Sequence, residues 1–321
     1  MFAIQKSSSS IGVLIASYRR PDELRKVLEA VANSSCDVKC VVIVDASPLD
    51  VKPAVERVVK ESALKGKIHL LHSERASLCH QRNLGIRELQ RSGVDLVQIL
   101  DDDTSPTPDY IAKLSQVMSA HPGAIGASGL SSDLIDNNNK TKIIGKFVYW
   151  LVGLEAYRSG SVSRAGCGIP ADVSGPDLQK VDWLFGCSMW SIRVFDTLSY
   201  LDELPGSGLF EDVYFSIRAS QIGELYVSPS ARLEHTLSDI GRPDLDLYSY
   251  RFSRNRWFVA RAHHRPRQTA FWFMISVAFL TLVNLSKSFH AKDQVLRSQY
   301  RTAALRTLQG AADAVRQFDP R

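Results

Sequence analysis

Three consecutive aspartates, Asp101, Asp102 and Asp103, follow the apolar run DLVQIL (95–100). Carboxylates this close repel one another, and in a cleft their joint charge calls for a cation. Their oxygens are hard ligands that suit Mg²⁺ or Mn²⁺. Extended backbone alternates its side chains, so Asp101 and Asp103 are expected to face one ion and Asp102 the other way. One aspartate here would read as a helix cap or a solvated loop; three in a row read as a functional cluster. A second acidic pair, Glu211-Asp212, follows the turn Gly206-Ser207-Gly208 and opens a predicted helix. Acids are favourable in a first helical turn, so capping is the plain account of that pair taken alone.

The elements that must hold these groups can be read around them. Apolar runs at 11–17, 39–46, 68–73 and 95–100 read as buried strands. Between them, helical spacing is expected from Pro21, over Pro48–Lys65, over Ala76–Arg91 and from Pro108 through Ala120. Alternation of strand and helix predicts a parallel sheet covered on both faces. Ligands of such sheets sit at the carboxyl ends of the strands, where Ser17-Tyr18-Arg19, Asp45 and the aspartate triplet fall. Residues 131–180, with Asn137-Asn138-Asn139 and many Gly, Ser and Pro, read as loops of an acceptor region or lid. VDWLFGCSMWSI (181–192) reads as one strand, 211–221 as a helix and 225–235 as a further extended stretch.

Taken in order, VLIASYRRPDEL, VVIVDASP, LCHQRNLGI, LDDDTSP, WLFGCSMWSIRVFD and FEDVYFSIRA resemble the motifs of family 2 glycosyltransferases, the branch similar to bacterial rhamnosyltransferases. The resemblance covers about residues 11–240. It implies an α/β fold of GT-A type, a mostly parallel central sheet flanked by helices that binds a nucleotide-sugar. A nucleotide-binding half (11–130) and an acceptor half (131–240) would follow a lead-in (1–10), and a basic helical region (241–321) would complete the chain. By the same resemblance, Ala16 and Tyr18 would pack on the base, and Asp45 would accept a hydrogen bond from it; a turn aspartate is the alternative for Asp45. Arg82 would lie near the diphosphate and Asp102 near the ribose. Asp103, supported by Asp101 and joined by His235, would hold Mn²⁺ or Mg²⁺; a structural role is the alternative for His235. Asp212 would be the catalytic base, with Glu211, Trp183 and Gly186 at the acceptor, and core packing is the alternative for Trp190. The donor would be a UDP-, dTDP- or GDP-linked sugar, and the acceptor a saccharide or a lipid-linked saccharide in cell-surface polysaccharide synthesis. An inverting displacement follows from the resemblance alone.

The 321 residues carry 39 Lys and Arg against 34 Asp and Glu, a net +5. From Arg242 onward the balance is 14 basic to 5 acidic residues, so the remainder is mildly acidic. Residues 268–286 contain no charge and are apolar on every side, between Arg261, Arg265 and Arg267 before and Lys287 and Lys292 after. Three readings stand for this segment: docking on a membrane surface, a true span, or a buried or dimerising helix. Basic flanks beside an apolar helix favour anionic lipid over nucleic acid. The segment 250–265, with Arg251, Arg254, Arg256 and Trp257, reads either as a diphosphate or lipid-phosphate contact or as a membrane-facing surface. Five scattered cysteines without a CxxC pair support neither a zinc ribbon nor a disulfide framework. With an opening that lacks the apolar core of a secretory signal, they predict a cytoplasmic enzyme, peripheral on the inner membrane face.

Competing classes fit less of the chain. DDDTS resembles the nucleophile motif of haloacid-dehalogenase phosphatases, but it follows the fourth strand rather than the first, and Ser105 stands where Thr or Val is usual. Nucleotidyltransferases use a Gly-rich opening loop, which ASYRRPDE is not. A membrane-tethered nucleotide-sugar binder without turnover is the non-enzymatic alternative.

Overall fold

The computed structural model describes residues 9–131, 158–171, 175, 177–204, 206–236 and 244–317. Among them, four strands run in parallel: β1 (Ile11–Ser17), β2 (Cys40–Asp45), β3 (Ile68–His72) and β4 (Leu96–Asp101). The helices α1 (Pro21–Ala32), α2 (Lys52–Glu61) and α3 (Leu78–Arg91) connect them. β5 (Thr104–Pro106), α4 (Tyr110–Ala120), β6 (Ala124–Ser131), β7 (Gln179–Val181), β8 (Ser188–Ser191), α5 (Glu211–Ala219) and β9 (Glu224–His235) follow. The sheet order is β3-β2-β1-β4-β8-β6-β9-β5, with β7 on β9. β6 and β9 run with β1–β4, whereas β8, β5 and β7 run against them. The result is a mostly parallel sheet flanked by helices, the GT-A arrangement expected from the sequence.

The continuous apolar runs are explained by burial on both faces. Val13, Ile15, Val41 and Ile43 enter one core with Leu24, Val27 and Leu28 of α1. Their neighbours Leu14, Val42 and Val44 enter the other with Ile86 and Leu89 of α3. Each fully buried side chain of this size contributes about 1.5–3 kcal/mol, so the strands' register is strongly fixed. Gly85 lets α3 lie directly on β1, because a Cβ there would run into Leu14.

Two expected elements differ. The helix expected over 48–65 is only 52–61, since Pro48 begins a turn closed by the Val51 amide and Pro53 stands in the first turn proper. Of the strand expected over 181–192, only Val181 at the end of β7 and Ser188–Ser191 of β8 are extended in the sheet; Gly186, between them, lies close beside Arg82 and Asp101. Asn137-Asn138-Asn139 and most of the expected lid lie outside the described residues. All five cysteines are free.

Three helices close the chain: α6 (Leu245–Ala262), α7 (Pro266–His290) and α8 (Gln294–Gln317). The Asp244 carboxylate caps α6 by accepting the Leu247 amide at 3.1 Å. Gly310 allows α8 to meet the backbone of α6 at Tyr250, and buried Phe273 and Val277 of α7 join Trp257, Ala311 and Ala314 in a shared core.

Candidate active site

The carboxyl ends of β1, β4 and β9 bring Ala16, Asp101 and His235 to one edge of the sheet. A cavity of about 520 Å³ opens there, lined by these residues with Tyr18, Arg20, Asp102 and Asp103, and closed by Ser207, Leu247 and Arg251 from farther along the chain.

The aspartates do not divide as alternation predicted. The chain leaves the extended conformation at Asp102-Asp103, so period two ends at Asp101. Asp102 and Asp103 turn together onto one guanidinium: Arg20 Nη1 donates to Asp102 Oδ1 at 2.8 Å and to Asp103 Oδ2 at 2.9 Å. Asp101 turns to Arg82, whose Nη2 donates to its Oδ1 at 2.9 Å. Burial pushes the Asp102 carboxyl up to about 6 against the pull of Arg20. Asp102 also accepts the Tyr18 amide at 3.3 Å, which fastens the β1 end to the triplet. His235 Nε2 lies 3.1 Å from Asp103 Oδ1.

Arg82 is fully buried on α3, and it joins the two acidic motifs. Its Nη1 donates to Glu211 Oε1 at 2.7 Å while Nη2 holds Asp101. It does not itself line the cavity but reaches the lining through Asp101. The flanking residues explain why the LCHQRNLGI segment carries three polar groups in a row. Gln81 Nε2 donates to the Ser17 and Val44 carbonyls at 2.9 and 2.8 Å, clasping the ends of β1 and β2. Asn83 bonds the Tyr200 backbone and Asp202 far along the chain.

Glu211 and Asp212 begin α5 after Phe210, which adopts a left-handed φ of 72°. Arg19 (φ 61°) is the other non-glycine residue with positive φ among the described residues. Each immediately precedes a charged group of the network, Glu211 and Arg20. Such backbone strain persists only where surrounding contacts over-determine it. For Arg19 the contacts are visible. Its amide donates to Ser47 Oγ at 2.7 Å, and Ser47 Oγ donates to Asp45 Oδ1 at 2.6 Å. Asp45 is wholly buried, outside the cavity lining, and its Oδ2 has no hydrogen-bond donor. The turn alternative therefore describes the contacts it makes: it sets the loop that aims Arg20.

The acidic pair at α5 is raised by its surroundings. Burial, then the neighbouring Asp212 charge, pushes Glu211 upward, with Arg82 pulling back. Burial pushes Asp212 up to about 6. Asp212 Oδ1 accepts the amide of its neighbour Val213 at 2.7 Å, and Phe210 at the N-cap position supplies no side-chain cap. Neither acid lines the cavity; Glu211 connects to it through Arg82 and Asp101.

Of the expected acceptor residues, Gly186 borders this network. A Cβ there would lie 3.1 Å from Arg82 Nη2 and 3.3 Å from an Asp101 oxygen. Trp183 stands elsewhere: its Nε1 donates to the Ile169 carbonyl at 2.9 Å and its ring covers Gly168. Trp190 is core, packed edge-on against Phe215. Arg20 lies within the quoted VLIASYRRPDEL motif, but nothing in its spacing shows that it bridges two aspartates. Arg251 belongs to the segment read as a diphosphate or membrane contact, and only the packing of α6 singles it out at the cavity.

The donor set suits a divalent ion in kind, carboxylate oxygens with one imidazole. Among the described residues, however, no three His, Cys, Asp or Glu side chains are gathered as a ready cage. Arg20 instead supplies the positive charge between Asp102 and Asp103.

A sheet of this order, flanked by helices and with an acidic cavity at its carboxyl edge, has the GT-A fold. The family model the chain resembles is that of glycosyl transferase family 2, which matches residues 12–163, a little under half of the chain. The fold is similar to S. aureus TarS 1–349 (TM-score 0.53, 12% identity, covering 95% of this chain and 82% of that one). It is also similar to the mannosyltransferase PcManGT from Pyrobaculum calidifontis in complex with GDP-Man and Mn²⁺ (0.57, 13%, 98% and 89%). A third likeness is GalNAc-T7 with UDP, GalNAc and Mn²⁺ (0.57, 13%, 98% and 59%). No curated protein matches the sequence.

Proposed function

We propose that the protein is a metal-dependent, inverting glycosyltransferase. It would move a hexosyl group from a nucleotide-sugar to a hydroxyl of a saccharide or lipid-linked acceptor in cell-surface polysaccharide synthesis. The observation that carries this reading is the pairing of two acidic motifs through one buried arginine beside a strand-end cavity. Similar folds have been solved with GDP-Man and Mn²⁺ and with UDP-GlcNAc, which supports a nucleotide-sugar donor here.

In this reading Ala16 and Tyr18 receive the nucleoside and Asp102 the ribose. Asp103 and His235 hold the divalent ion, with Asp101 in support. When bound, that ion neutralises charge growing on the departing diphosphate. Arg251 assists from the cavity wall. Its Nε is buried without a hydrogen-bond partner, and burial lowers its pKa, so an anionic ligand would relieve an existing cost. Positive character grows on the sugar as the bond to diphosphate breaks. Asp212 removes the proton of the attacking hydroxyl. Its raised pKa makes it a stronger base than an exposed aspartate.

The test is transfer from a panel of UDP-, dTDP- and GDP-sugars, with and without Mn²⁺, by wild type and Asp212→Asn. The variant is expected to lose activity by about 10²–10⁴-fold while nucleotide affinity stays within a few-fold. Normal transfer by the variant removes the base assignment. Nucleotide-sugar binding without turnover by wild type would make the protein a binder instead.

A further inference from the structure

We infer that α7 is an in-plane anchor: one face of it lies in the headgroup region of an anionic lipid bilayer, and the helix does not cross it. This inference is independent of the catalytic reading.

By length and composition α7 passes as a span. Its contacts decide otherwise. Thr269, Phe273, Ser276, Val277, Thr281 and Ser288 form a buried stripe. That stripe packs against a charged side chain: Arg256 of α6 is 2% exposed and donates from Nη2 to Ser276 Oγ at 2.6 Å. The same guanidinium stands 5.0 Å from the Phe252 and Phe273 rings. A crossing α7 would have to shed α6 and α8, or draw Arg256 into hydrocarbon with it. An arginine at the bilayer centre is strongly disfavoured.

The opposite face carries Phe271, Met274, Leu282 and Phe289, at helical spacing of three, eight and seven residues. Phe271, Leu282 and Phe289 are 62%, 64% and 73% exposed. From Phe271 to Phe289 this apolar face is about 27 Å long, a continuous ridge rather than scattered surface residues.

Charge chooses the occupant. Residues 261–292 hold Arg261, Arg265, Arg267, Lys287 and Lys292 and no Asp or Glu. Arg265 and Arg267 lie at one end of α7, Lys287 and Lys292 at the other. Like charge at both ends suits a helix lying flat, because a crossing helix favours charge on one side. A second copy of the chain would bring the same basic segment against this one; anionic lipid brings the opposite sign.

The test is co-sedimentation of the full chain with vesicles of phosphatidylcholine alone or with about one third phosphatidylglycerol. Binding is expected only to the anionic vesicles, with release by high salt and by alkaline carbonate. Phe271→Glu/Leu282→Glu should weaken it at least about tenfold, with an unchanged melting temperature showing that the fold is intact. Three results overturn the inference: equal binding by wild type and the double variant, retention in carbonate as an integral span, or a solution dimer that the double variant dissociates without any vesicle binding.

Discussion

The two acidic clusters are compensated in opposite ways. Asp102 and Asp103 share Arg20, a side chain that reaches in from a loop and remains 15% exposed. Glu211 and Asp101 share Arg82, which is wholly enclosed and sits on a helix whose neighbouring residues clasp two strand ends. Withdrawing Arg82 would leave charge inside the protein. In the proposed reading, the first compensation is the one at which another cation would take the arginine's place, while the second is part of the frame.

The sharpest way to break this contrast is Arg82→Met. It strands Glu211 and frees Asp101, and removing one partner of a buried pair costs about 3–5 kcal/mol. Denaturant melts should show that loss. Arg82→Lys should recover only part of it, since one ammonium lacks the fork that serves both acids. Destabilisation below about 1 kcal/mol would put Arg82 in the exchangeable class with Arg20.

A smaller effect is expected at the first cluster. Asp103→Ala should leave the melting temperature nearly unchanged and weaken Mn²⁺-dependent nucleoside diphosphate binding by about 10–100-fold. Calorimetric titrations with and without Mn²⁺ read this directly. Equal loss in both titrations would assign Asp103 to the nucleotide rather than to an ion.

The raised pair at α5 predicts a pH signature. A base with a pKa near 6 is lost to protonation as pH falls, so transfer should drop about tenfold per unit below that value. Stability should move the other way. Acids with folded pKa values above their unfolded ones bind protons more tightly in the folded state. The contribution of Glu211 and Asp212 to stability therefore rises as pH is lowered through their folded pKa values toward the unfolded range. Comparing the pH dependence of melting in wild type and Glu211→Gln isolates that contribution.

The contrast also explains what the sequence disclosed. The strands were legible because both faces are buried, so Ile11–Ser17 and Cys40–Asp45 are apolar almost throughout. The acidic triplet was legible as a cluster because uncompensated charge after such a strand is costly. Its internal division was not, since the turn at Asp102-Asp103 depends on Arg20, Tyr18 and His235 arriving from elsewhere. Asp45 shows the same limit. The motif marked its position, while its bond to Ser47, and through that to the Arg19 amide, exists only once the loop has folded. Arg82 was visible as a motif residue, but its two partners are 19 and 129 positions away. Contacts of that range leave no local pattern.

Arg20→Met gives the smallest and most discriminating effect. If Arg20 is an exchangeable cation, its removal leaves Asp102 and Asp103 repelling each other with no positive charge between them. Mn²⁺ added without nucleotide then no longer competes with a tethered guanidinium, and its affinity should rise a few-fold, equivalent to roughly 1 kcal/mol. The loss of the ion pair itself should cost the fold less than the loss of Arg82, because Arg20 is partly solvated and Arg82 is wholly enclosed. Titration of the variant by Mn²⁺ electron paramagnetic resonance, in the absence of any donor, measures the affinity without relying on turnover. Weaker Mn²⁺ binding than wild type would mean that Arg20 organises the aspartates for the ion instead of holding its place, and the two clusters would then be compensated by the same principle.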